Sequence, residues 1–193
     1  MYNRCLVLVV VIFSLIAGGQ IAAAAAAQTE DVSKPTVAVL FVNNAKSTYD
    51  DVVSQKMLND INGLLAGKYN VVSGDKYIER LNQNGIADIT TSERSDIADA
   101  LKGEPVDYVL YVEVQPFNMN RKFALFNHGV GLTATVPVKI IDLANNRHFY
   151  NGKFTEQAAD YVAFGGVGSK SVAMKALDKV IAKMNPVIMQ SCR

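Results

Sequence analysis

Residues 107–114, Asp-Tyr-Val-Leu-Tyr-Val-Glu-Val, limit what this chain can fold into more than any other stretch. In an extended backbone successive side chains point to opposite faces. Tyr108, Leu110, Val112 and Val114 therefore share one face, which is wholly apolar, and Val109, Tyr111, Glu113 and Gln115 share the other, which is half apolar. Only a central strand, covered on both sides near its start, hides both sets. Before this strand the pattern alternates between strand and helix. After it the apolar period drops to two, as in an antiparallel ribbon.

Residues 36–42 form a continuous apolar run of strand length, and a polar loop follows. Thr48 and Asp51 stand at capping-box spacing for a helix through Val53, Met57, Ile61, Leu64 and Leu65, with Gly67 as its stop. A short strand over 69–73 leads to a helix through Tyr77, Ile78 and Leu81 that ends near Gly85. Another, opened by Ser92, runs through Ile97, Ala98 and Leu101 to Gly103. Beyond the central strand, Asn127-His128-Gly129 reads as a hairpin tip. A half-buried strand over 130–140 carries Pro137, which must break or bulge its ladder on one side. Residues 144–146 turn the chain into a last strand over 149–155. A helix over 169–184, ended by Pro186, turns Ala173, Leu177, Val180, Ile181 and Met184 inward. Right-handed crossovers then favour an α/β fold: a five-stranded mixed sheet in order 2-1-3-4-5, strands 3-4-5 antiparallel, with helices on its faces. We expect one domain over 36–186, a flexible lead over 28–35 and a tail over 187–193.

Residues 1–27 have the pattern of an export signal: a basic start, an apolar run from Cys5 to Ile16, and Ala25-Ala26-Ala27 as a cleavage site. The expected address is periplasmic or extracellular. The longer stretch from Cys5 to Ala27 is just long enough to serve instead as an uncleaved inner-membrane anchor. Removal takes Arg4 and no acid, leaving 18 basic and 18 acidic residues. A neutral body argues against nucleic acid as a partner. Cleavage also takes Cys5 and leaves Cys192, so the mature form has no internal disulfide; an oligomer linked through Cys192 stays open. No cysteine follows the apolar run to accept a lipid, and no stable membrane insertion is expected after cleavage.

No residue set declares a reaction. Gly165-Gly166-Val167-Gly168-Ser169-Lys170-Ser171 is glycine-rich and opens a helix, but departs from the phosphate-loop spacing and reads as a loop with a serine cap. His128 and His148 fall at opposite ends of one strand, too far apart to share a metal. Neither a nucleophile elbow nor a cysteine–histidine pair is present. Glu113 and Asp142 read as solvated strand-end charges, with a carboxylate pair as the alternative. We expect no cofactor, no metal and no catalysis. A crevice outside strands 1 and 3, near Asn43, Asn44, Gln115 and Pro116, would suit a small ligand or a polysaccharide. Two surfaces suit a protein partner. Lys175, Lys179 and Lys183 lie along one face of the last helix, and the hairpin before strand 4 carries Phe117, Met119, Phe123, Leu125 and Phe126.

The pattern resembles a group of envelope proteins: the amino-terminal domain of TolB, the curli-export CsgG family, and the lipoprotein activators of penicillin-binding proteins. Residues 36–44, Thr-Val-Ala-Val-Leu-Phe-Val-Asn-Asn, look like the group's first strand and polar exit, and residues 107–114 look like its central strand. Phe41 replaces the usual proline, and the lipidation cysteine is missing. The chain also has no insertion for membrane hairpins, which separates it from a curli-type pore. The resemblance implies a non-enzymatic exported protein that binds other envelope proteins, with the sheet as a rigid platform.

Overall fold

The structure, a computed structural model, describes residues 34–124, 127–162 and 168–191. Apolar continuity makes Thr36–Asn43 strand β1, and the helix that follows, α1, spans Asp50–Leu65. Strand β2 is Asn70–Ser73, and helices α2 (Asp75–Gln83) and α3 (Arg94–Ala100) follow it. Strands β3 (Tyr108–Val114), β4 (Asn118–Ala124), β5 (Asn127–Asp142) and β6 (Arg147–Val162) come next, and helix α4 (Ser169–Ser191) closes the described chain. β1 pairs in parallel with β2 and β3, and β5 pairs antiparallel with β3, β4 and β6.

The sheet thus has six strands where five are expected. The order also differs from the expected 2-1-3-4-5: it runs β2-β1-β3-β5, with β4 lying end to end with β3 along one edge of β5 and β6 paired to the other. Pro137 explains the division. Gln115 donates to the Thr135 carbonyl at 3.0 Å, so β5 residues of this parity face β3 and β4. Pro137 faces the same way without an N–H. From Val112↔Val138 to Asn118↔Thr133 the chain takes six steps on one side and five on the other, a one-residue bulge that turns Phe117 inward.

The central strand divides its side chains as its alternation demands. Leu110, Val112 and Val114 join the core beneath α1 and α4, whereas Val109 and Tyr111 join the smaller core beneath α2 and α3. The second face is covered over β2, β1, β3 and the end of β5, and Lys139 clasps that cover. Only 3 % exposed, it donates to the carbonyls of Ile89 at 2.6 Å and Ser92 at 2.7 Å.

Four local expectations are corrected. The first helix is led not by Thr48 and Asp51 but by Ser47, whose N–H and hydroxyl both donate to Asp50 Oδ1. Asn127, His128 and Gly129 are not a hairpin tip; they belong to β5, with Ala124 paired to Asn127. β6 runs from Arg147 to Val162, well beyond 149–155, because α4 covers its inner face. Finally, α4 continues through Pro186 to Ser191. An interior proline costs ~3 kcal/mol. Burial of Ile188, 1 % exposed, offsets most of it at ~1.5–3 kcal/mol.

Candidate functional site

Asn44 and Gln115 line a crevice of about 450 Å³ outside the carboxyl ends of β1 and β3, together with Glu113, Tyr111, Asp88 and Thr90. Asn43 is not part of it. Its amide nitrogen donates to the Asp50 carbonyl at 2.8 Å and to Ser54 Oγ at 2.9 Å, holding the start of α1 against the opposite face. Within the crevice most polar groups already satisfy one another. Asn44 Nδ2 donates to Glu113 Oε1 at 2.8 Å, and the Tyr111 hydroxyl donates to Glu113 Oε2 at 2.9 Å. Burial, then the Glu113 charge, drives the Tyr111 hydroxyl far above its ordinary pKa, so it stays a donor. Asp88 accepts from Thr90 and Thr91, bonds that hold its carboxyl below the usual range.

Glu113 and Asp142, expected as solvated strand-end charges, lie apart, and Asp142 is buried rather than solvated. Asp142 pairs in register with Tyr108, five residues before Glu113 on β3, roughly 17 Å at ~3.3 Å per residue. Asp142 accepts from the Asn145 amides and Arg147 Nε. His128 and His148 are likewise separated, opposite Val162 and beside Ile141 respectively.

The lysine face is engaged within the molecule. Lys175 Nζ meets Asp160 Oδ2 at 2.7 Å, Lys179 Nζ donates to the Gln157 carbonyl at 2.7 Å, and Lys183 pairs with Glu156. All three acceptors lie on β6. The four-residue spacing therefore staples α4 along the outer strand of the sheet, a use of lysine that also blocks a strand edge. Spacing predicted the common face but not what it meets.

The hairpin residues divide. Phe117 folds back into the main core and stacks on Tyr49, with ring centroids 6.3 Å apart. Met119 is 38 % exposed. The Phe123 side chain and all of Leu125 and Phe126 lie outside the described residues, as do 1–33, 163–167 and 192–193. What the sequence reading missed is β4 itself, whose other edge pairs with no described strand. Its polar run Asn118-Met119-Asn120-Arg121 carries no strand signal; only the length of β5 opposite it could have revealed it.

No protein-family profile matches the chain, and no curated protein matches it by sequence. Solved structures do. The hypothetical protein CT253 of Chlamydia trachomatis is 12 % identical, with 81 % of this chain and 98 % of that one covered, and a TM-score of 0.50. The LpoB carboxy-terminal domain of Salmonella enterica is 16 % identical over 66 % of this chain and 87 % of its own, at a TM-score of 0.34. TolB of Acinetobacter baumannii is 14 % identical over 82 % of this chain and 28 % of its own, at 0.39. At such identities the likeness is one of fold. Among the described residues, no helix is long and apolar enough to cross a membrane.

Proposed function

We propose that this chain is an exported, non-enzymatic protein of the cell envelope that works by binding an extended segment of another envelope protein along β4. One observation carries the reading: the two outer edges of the distal ribbon are treated differently. β6 is stapled by three lysines, whereas β4 presents Asn118, Met119, Asn120 and Arg121 exposed, with no described strand beside them. An unpaired row of N–H and C=O groups is a template for another strand. The parallel row of β1 ends at Asn44, whose N–H donates to the Val114 carbonyl at 2.8 Å, so an added strand would extend that row. Arg121, without an ion-pair partner among the described residues, favours an acidic segment. The export pattern of residues 1–27 supports the address.

The crevice at Asn44 and Gln115 supports a small ligand less well, because its carboxylate, amide and phenol are already paired. Affinity capture from envelope extracts, with Met119→Asp/Arg121→Glu beside the unaltered chain, tests the docking reading. A partner recovered with the unaltered chain and lost with the variant supports it. Equal recovery with both counts against it.

A further inference from the structure

On the sheet face that α2 and α3 leave bare, the registers set residues of β4, β5 and β6 side by side: Asn118–Thr133–Gln157, then Asn120–Gly131–Ala159, then Gly129–Tyr161. They line a trough of about 540 Å³. Tyr161 is 54 % exposed, and its ring lies against Gly129, where an added Cβ would come within 2.5 Å of two ring carbons. The Cδ1–Cε1 edge of the ring is what meets Gly129, and more than half of the side chain is open to solvent. Gly131 leaves the floor open beside it. The side-chain amides of Asn118, Asn120 and Gln157 have no hydrogen-bond partner among the described residues. Among the described residues of the lining Lys179 alone is charged, and its ammonium group is held by the Gln157 carbonyl.

We propose that this trough binds a neutral glycan strand. An aromatic face open to solvent stacks on the C–H face of a sugar ring, as one amphipathic flat surface on another. A carboxamide offers a donor and an acceptor together, which matches a pair of neighbouring hydroxyls. An extended peptide fits worse. The backbone groups of β5 are taken up in the ladders to β4 and β6, and the lining offers no deep apolar pocket for an anchoring side chain. Among the described residues the lining holds no free cation for an anionic polymer. The trough shares Asn118 and Asn120 with β4 but lies on the sheet face, whereas the docking reading rests on the backbone edge with Met119 and Arg121, so the failure of either leaves the other intact.

The test is an NMR titration of the purified protein with soluble β-1,4-linked hexasaccharides of glucose and of N-acetylglucosamine, to about 10 mM. The expected result is shifts centred on the side-chain amides of Asn118, Asn120 and Gln157 and the Tyr161 ring. Tyr161→Ala should weaken binding roughly tenfold or more. Gly131→Val should block it while leaving the rest of the spectrum in place, because an added Cβ there meets nothing nearer than the Asn120 carbonyl at 3.6 Å. Met119→Asp/Arg121→Glu should bind as the unaltered chain does. The proposal is overturned if neither sugar moves these signals, if Tyr161→Ala binds equally well, if the shifts centre on Asn44 and Gln115, or if dextran sulfate displaces the sugar in a salt-dependent way.

Discussion

Single residues hold the layers of this protein in register, and some are visible only in three dimensions. Gly74 sits so close to β1 that an added Cβ would lie 2.2 Å from the Val39 carbonyl oxygen and 2.6 Å from Leu40 Cα. Backbone cannot retreat as a side-chain tip can, so Gly74→Ala should destabilise the fold by about 3 kcal/mol, measured by urea denaturation. Nothing in the sequence separates this glycine from Gly67, Gly85 or Gly103, whose positive φ values mark helix ends as expected. His148 is a second case. Burial, then the charges of Lys139 and Arg94, lowers its pKa below the ordinary 6.5. The unfolded chain therefore takes up the proton first, and stability falls as pH drops below about 6.5. Asp142 behaves alike at lower pH: burial opposes its ionisation, but bonds from Asn145 and Arg147 outweigh that and hold its pKa below 3.8. Its contribution is present above about 4 and disappears as pH falls through the lowered value. Thermal melts should thus show two acid losses, and His148→Gln should remove only the one that begins near pH 6.5.

At the scale of elements, the central strand, its two faces and the helices were legible because each rests on local periodicity. Leu110 and Val109 went to the cores that alternation assigned them. β4 was not legible, since a polar run becomes a strand only when β5 provides sixteen residues of partner and β3 stops short. The reach of α4 past Pro186 was hidden for the same kind of reason: a tertiary contact at Ile188 overrides a local rule. The crevice was legible in part, because topology predicts where it opens but not that Asn43 turns towards α1. The lysine staple was half legible, its spacing seen and its acceptors not. Exposed pairs of this kind contribute little stability. Their removal should therefore act on association: Lys175→Ala/Lys179→Ala/Lys183→Ala should leave the melting temperature within a few degrees while the protein begins to self-associate on gel filtration. A variant that stays as monodisperse as the unaltered chain would show that the lysines do not guard β6.

At the scale of the whole molecule, the described residues build a sheet with one face packed under α1 and α4 and the other covered by α2 and α3 over β2, β1, β3 and the end of β5. The distal ribbon of β4, β5 and β6 presents a strand edge with no described strand beside it and a bare face, which share β4 but point in different directions. The two proposed partners, of different chemistry, would thus meet different sides of β4. The most direct measurement places a photo-cross-linking residue in living cells at Met119 or Arg121 on the open edge, and at Gln55 on α1 as a control. The account predicts discrete adducts with another envelope protein from the two β4 positions and none from the control. Adducts from all three positions alike, or from none, would contradict it.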